Sequence, residues 1–121
     1  MRGIGIDAVE VERFRGLLER QPRIAGRLFT PLELAYGKRW RDPAPRLAAR
    51  FAAKEAVMKA LGVGLGAFAF HDVEVVSLPS GAPTLVLRRQ AEALSRRLGV
   101  EEWQLSLTHT QALAQAVAVA L

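Results

Sequence analysis

The segment from Arg46 to Leu61 constrains this chain more than any other. It is built of good helix formers and is followed by Gly62, Gly64 and Gly66, which predicts a helix ending at the first of those glycines. Projected at about 100° per residue, Leu47, Phe51, Met58 and Leu61 form one stripe. Ala48, Ala49, Ala52, Ala53, Ala56 and Ala60 fill most of the opposite side. A helix apolar nearly all round is buried on several sides. Yet the middle of this one carries Arg50, Lys54, Glu55 and Lys59. Buried charges must be paired, or bound to something charged. Glu55 and Lys59 stand four apart on one edge, so a solvated pair worth about 0.2–0.5 kcal/mol is the simpler account of those two on spacing alone.

The rest of the chain supplies what this helix packs against. Arg2 to Ile6 reads as a strand, with Ile4 and Ile6 on one face and Gly3, Gly5 and Asp7 on the other, leaving open space beside Asp7. A helix over about Val9 to Arg20 follows, with Val11, Phe14, Leu17 and Leu18 as its apolar stripe. Thr30-Pro31-Leu32-Glu33 is a capped helix start, and that helix ends near Gly37 before a loop over Arg41 to Pro45. Asp72 to Leu78 and Thr84 to Leu87 form a hairpin turning at Ser80-Gly81. Arg88 to Leu98 is an amphipathic helix closed by Gly99. Trp103 to Thr108 alternates as a strand, and Leu113 to Leu121, with its strict period of two, pairs with it. The expected class is α+β, a small antiparallel sheet with helices packed on it.

At 121 residues the chain is a single domain spanning residues 1–121, able to bury a core but not a deep private pocket as well. A large ligand would therefore lie in a surface groove or between subunits. The net charge of +5, mostly from arginine, points to an acidic or phosphorylated partner. No cysteine is present, so thiolate zinc sites are excluded. No apolar run reaches the roughly 18 residues of a membrane helix, and the first residues do not read as a signal peptide; a cytoplasmic setting with no membrane partner is expected. There is no phosphate-binding Gly-x-x-x-x-Gly-Lys loop, no nucleophile elbow and no nucleic-acid-recognition signature.

Candidate site residues each have a plain structural reading beside the chemical one. Asp7 and Glu10 could form a helix cap; an aspartate at a strand end with space beside it could also bind magnesium, which takes few protein carboxylates. His109 closes the strand Ser106-Leu107-Thr108-His109 and could contact phosphate or simply hydrogen-bond there. His71 reads as structural. Arg13 and Arg20 share a face of the first helix, with Arg23 and Arg27 beyond, giving either a solvated basic face or a dock for an acidic helix.

Taken in order, these segments resemble the holo-acyl-carrier-protein synthases, the small trimeric type of 4′-phosphopantetheinyl transferase. Gly3-Ile4-Gly5-Ile6-Asp7, Arg13, Phe29-Thr30 and Glu33 match the family's opening. Arg50-Phe51-Ala52-Ala53-Lys54-Glu55-Ala56, with Lys59, Ala60 and Gly62, matches its central signature. Gly64 and Gly66, Asp72 to Val75, Gly81 before Pro83, and Ser106 to Thr110 follow in the same order, so the resemblance covers essentially the whole chain.

The resemblance implies transfer of phosphopantetheine from coenzyme A to a serine of apo-acyl carrier protein, a step that primes fatty acid biosynthesis. It implies that Asp7 and Glu55 hold Mg2+ at the coenzyme A pyrophosphate, with Glu55, Lys59 and His109 as the catalytic set. Arg50, Lys54, Lys59, Gly62, Gly64, Gly81, Pro83, Thr108 and His109 are then expected along the coenzyme A site, and Arg13, Arg20, Arg23 and Arg27 at the carrier protein. It also implies a homotrimer with active sites between subunits. Two positions depart from relatives: Ala82 stands where the family often has lysine, and Val9 where the larger, two-lobed type has a further carboxylate. A small nucleic-acid-binding protein, which the charge allows, and a non-catalytic module on the same fold are the rival readings.

Overall fold

A computed structural model describes residues Met1–Leu121. The elements are β1 (Gly3–Glu10), α1 (Val11–Arg20), α2 (Ile24–Leu28), α3 (Pro31–Gly37), α4 (Ala44–Ala60), β2 (Val73–Ser77), β3 (Pro83–Leu87), α5 (Arg89–Arg97), β4 (Trp103–His109) and β5 (Leu113–Ala120). Strands β1, β5 and β4 form an antiparallel sheet in that order, and β2 and β3 form a separate hairpin. The α+β class holds, with two small sheets in place of one. The short helix α2 carries no periodic signal long enough to read from sequence.

Helix α4 is the centre of the packing. Ala48, Ala52, Ala53, Ala56 and Val57 are fully buried, and the inward face of β5, Ala114, Ala116, Ala118 and Ala120, is buried against the core. Small residues on both sides let the helix backbone come down onto the sheet. The closest approach is at β1, where an added Cβ on Gly3 would lie 2.0 Å from the Ala60 carbonyl oxygen and one on Gly5 1.9 Å from that of Ala56. The glycines therefore do not open space beside Asp7, as expected from sequence; they accept the backbone of α4.

β1 also runs on past Asp7. Its pairing with β5 extends from Gly3↔Ala120 to Glu10↔Leu113, so Asp7 lies mid-strand opposite Ala116 rather than at a strand end. That register removes the helix-cap reading of Asp7, since α1 begins only at Val11 and lacks a side-chain cap.

The other helix signals stand. Thr30 and Glu33 form the capping box of α3, with the Thr30 amide donating to Glu33 Oε1 at 2.9 Å. α4 ends in a Schellman turn at Gly62 (φ 72°): the Val63 amide donates to the Met58 carbonyl, and the Gly62 amide to that of Lys59. Phe14 packs edge-on to Phe29 and stacks on Phe51, joining α1 and the α2–α3 segment to the first half of α4.

The outer face of the three-stranded sheet is uncovered. Ile4 and Ile6 are 58% and 60% exposed, and their neighbours across the ladder are Val119 and Val117.

Candidate functional site

The packing of β1 on α4 determines which side chains meet. Gly3 rests on Ala60 and Gly5 on Ala56, so two residues along the strand correspond to about four back along the helix. Asp7, the next residue on that face, reaches the level of the turn that holds Glu55. The two carboxylates line one surface groove of about 720 Å³, together with Glu10, Arg13, Arg20 and Phe51.

Their electrostatics are unbalanced. Burial pushes the Glu55 carboxyl above its ordinary value, the Asp7 charge pushes it further, and Lys59 only partly opposes them. The expected Glu55–Lys59 pair is not formed. Lys59 instead reaches across to β1, where Nζ lies 3.1 Å from Asp7 Oδ1 and donates to the Ile6 carbonyl at 3.0 Å. Glu55 is left without a hydrogen-bonding partner in the chain. Two converging carboxylates, one of them unpartnered, suit a divalent cation. No third His, Asp or Glu joins them. That donor set fits magnesium, which keeps several positions for water and phosphate oxygens.

A second pocket, about 190 Å³, is lined by Tyr36, Arg46, Arg50, Ser77, Gly81, Pro83 and His109 among others, with no carboxylate. Arg50 is only 3% exposed. It donates to the Val75 carbonyl (2.7 Å) and to Ser77 Oγ (3.1 Å), while its Nε has no partner. Burial lowers its pKa, a sign that no anion within the chain fully compensates it. Gly81 adopts φ 90° in the turn between β2 and β3, as the Ser80-Gly81 turn requires. Sequence reasoning missed Arg46; its spacing of four from Arg50 on α4 was the available signal.

The two cavities share no lining residue. Arg50 and Glu55 are five apart on α4, hence about 140° apart around its axis. One chain thus brings Asp7, Glu55, Lys59, Arg13 and Arg20 to one side, and Arg50, Gly81, Pro83 and His109 to another.

Lys54 joins neither group. Its side chain is fully buried, and its ammonium donates to Glu33 Oε1 (2.7 Å), the Phe70 carbonyl (3.1 Å) and the Val73 carbonyl. All three of its protons are used, so none is left for a phosphate and the expected coenzyme A contact is corrected to a structural one. The partner, Glu33, is a hub that sequence reasoning treated only as a cap: it also accepts from the Val75 amide at 2.9 Å. Thr108 points to the outer face of the sheet, opposite to His109 in the alternation of β4, so the two are not neighbours in one chain. Gly62 lines a third groove with Arg2, Ile4, Lys59 and Leu98, and Gly64 stands in open space. Arg23 and Arg27 flank Ile24 in a patch separate from the Arg13–Arg20 groove. His71 contacts the Gly26 carbonyl, as its structural reading expects.

Comparison with known proteins identifies the family and the fold. The family model of the 4′-phosphopantetheinyl transferase superfamily matches residues 3–118. The holo-[acyl-carrier-protein] synthase of Moorella thermoacetica is 48% identical over 115 residues, covering 95% of this chain and 90% of its own length. The crystal structure of the Neisseria meningitidis holo-[acyl-carrier-protein] synthase superposes with a TM-score of 0.90 at 32% identity, covering 100% of this chain and 98% of that one. The Helicobacter pylori enzyme, solved in complex with coenzyme A, gives 0.86 at 30% identity, covering 98% and 99%. This chain therefore belongs to the holo-[acyl-carrier-protein] synthases, enzymes of the 4′-phosphopantetheinyl transferase superfamily.

Proposed function

We propose that this chain transfers the 4′-phosphopantetheine group of coenzyme A to a serine of apo-acyl carrier protein and releases adenosine 3′,5′-bisphosphate, with Mg2+ held by Asp7 and Glu55. The observation that carries this reading is the convergence of those two carboxylates, Glu55 unpartnered, in an open groove beside Lys59. The bound ion would screen the negative charge of the coenzyme A pyrophosphate.

The chain's own residues account for the rest. Lys59 adds positive charge at the same rim. Arg50, Arg46 and His109 would receive the nucleotide phosphates in the acid-free second pocket. The carrier serine Oγ bonds to the phosphorus bearing the pantetheine as the bond from that phosphorus to the nucleotide's 5′-phosphate oxygen breaks. The serine proton passes through a water to a Glu55 carboxylate oxygen that faces the groove. Arg13 and Arg20 border the groove and, with Arg23 and Arg27 beyond, would dock an acidic carrier helix, in the cytoplasm where both substrates are met.

A homotrimer completes the site. The half-sites lie on different sides of α4, and the uncovered apolar strip of Ile4, Ile6, Val117 and Val119 would be buried by neighbouring copies. A closed ring of this kind would set the Asp7–Glu55 groove of one subunit against the Arg50–His109 pocket of the next. The test is to mix the protein with apo-acyl carrier protein, coenzyme A and Mg2+ and to weigh the carrier. A gain of one phosphopantetheine that a chelator abolishes supports the reading; an unchanged mass across several candidate carriers overturns it.

A further inference from the structure

The second pocket has a wall that the family comparison does not explain. Two pairs of residues, each four apart in sequence, face one another there: Tyr36 from α3 and Trp40 from the loop beyond it, and Arg46 and Arg50 from α4; Tyr36 and both arginines line the pocket, and Trp40 stands behind Arg46. The Arg50 guanidinium carbon lies 3.7 Å from the centre of the Tyr36 ring, and that of Arg46 lies 3.9 Å from the centre of the Trp40 ring. The two rings pack edge-to-face at 4.7 Å, so the platforms brace each other. Arg39 adds a third guanidinium 5.3 Å from the Trp40 ring.

This arrangement is unusual for arginines of one charge sign. No carboxylate pairs with Arg46 or Arg50, and Arg50 is almost wholly buried with its Nε unpartnered. Ring faces are the weakest counter-charge that can hold a guanidinium plane in place. They occupy no N–H, so the donors that Val75 and Ser77 do not use stay available to an anion, where a carboxylate would have taken them. An arginine already fixed in its bound orientation also loses less conformational freedom when the anion arrives.

We propose that Tyr36 and Trp40 are positioning residues, whose rings hold the Arg50 and Arg46 guanidinium groups as a preset clamp for a phosphate of the nucleotide half of coenzyme A. This rests on the reading that the second pocket receives that nucleotide. The rings act on the nucleotide through the two arginines that they hold. The clamp matters for holding coenzyme A rather than for the bond-breaking step, so its loss raises KM for coenzyme A and leaves kcat nearly unchanged.

The experiment compares Tyr36→Leu and Trp40→Leu with the parent and with Tyr36→Phe and Trp40→Phe. Calorimetry gives the Kd of adenosine 3′,5′-bisphosphate, and steady-state assays give KM for coenzyme A and kcat. Tyr36→Leu is expected to weaken nucleotide binding by about 5- to 30-fold, the effect of a desolvated cation–π contact, and Trp40→Leu by about 2- to 5-fold, that of a more exposed one. Each phenylalanine variant keeps a ring face under its arginine and should recover most of that loss, Tyr36→Phe less completely because the Tyr36 hydroxyl also supports the Arg50 charge. Trp40 is half-exposed beyond α3, so Trp40→Leu remains informative if Tyr36→Leu does not fold. Unchanged Kd in the folded leucine variants, or equal losses in Trp40→Leu and Trp40→Phe, overturns the proposal. Arg50→Ala separates it from the reading beneath: if Arg50→Ala weakens the nucleotide and the leucine variants do not, only the positioning role fails. If Arg50→Ala leaves the Kd unchanged, the nucleotide does not occupy this pocket.

Discussion

Replacing Gly5 by alanine places a methyl group 1.9 Å from the Ala56 carbonyl oxygen and 2.8 Å from the Ala60 amide nitrogen. Both atoms belong to the helix backbone, so no side-chain rotation relieves the contact. Restoring ordinary contact near 3.4 Å requires β1 and α4 to separate by about 1.5 Å. Overpacking of this kind costs typically 1–3 kcal/mol, and a rigid backbone neighbour puts the cost near the top of that range, about 3 kcal/mol. For a domain of this size the melting temperature should fall by roughly 10–15 °C. Activity should fall further than stability, because the separation that relieves the clash also moves Asp7 away from Glu55. A misplacement beyond about 1 Å costs on the order of 100-fold in turnover. The assay is thermal melting together with phosphopantetheine transfer below the variant's melting point. Gly26→Ala is the control: it lies in α2 with nothing within 4 Å of its Cβ position, and should be neutral or stabilising by up to about 1 kcal/mol. A Gly5→Ala protein that melts within about 2 °C of the parent and turns over normally would refute the idea that this contact sets the carboxylate pair.

Three further outcomes follow from the same geometry. Lys54→Met leaves Glu33 charged and buried without its partner, so folding stability should fall by about 3–5 kcal/mol, while any protein that stays folded binds adenosine 3′,5′-bisphosphate as the parent does; a stable variant with lost nucleotide affinity would restore Lys54 to the coenzyme A site. Glu55 has a folded-state pKa above its unfolded value, raised first by burial and then by Asp7. The folded state therefore holds its proton to higher pH, and metal-free stability falls as pH rises from the ordinary carboxylate value through the raised one. Glu55→Gln should remove that loss, so its metal-free melting temperature gains on the parent across the acidic range as pH rises; a constant offset contradicts the shift. Mixing inactive Asp7→Ala and His109→Ala proteins, after dissociation and reassembly, should restore part of the activity if each site draws on two subunits, and no recovery would place both halves on one chain.

Much of this was legible from the sequence. The helix stop at Gly62 and the Thr30–Glu33 capping box depend on local backbone chemistry, and both are present as expected. The alternation of Leu113 to Leu121 located β5, because period two survives without knowledge of the partner strand. What escaped depends on contacts across long stretches of chain. Local sequence puts Asp7 at a strand end because it does not reveal that Ala8, Val9 and Glu10 continue the ladder with Gln115, Ala114 and Leu113. Gly3 and Gly5 suggest open space because a missing side chain marks a void and a close approach equally well, and only the position of α4 distinguishes them. Lys54 and Lys59 looked alike on one helix. Burial and the choice between Glu33 and Asp7, 21 and 52 residues away, separate a structural ammonium from one at the site.

The pairing of Asp7 with Glu55 remains the centre of the account, since each carboxylate alone has an ordinary structural explanation. Its most direct test is Mn2+ binding followed by electron paramagnetic resonance, with coenzyme A present, in the parent, Asp7→Asn, Glu55→Gln and the double variant. One tightly bound ion per chain in the parent, lost in either single variant with no further loss in the double, is the predicted result. An ion bound as tightly by the double variant as by the parent would contradict it.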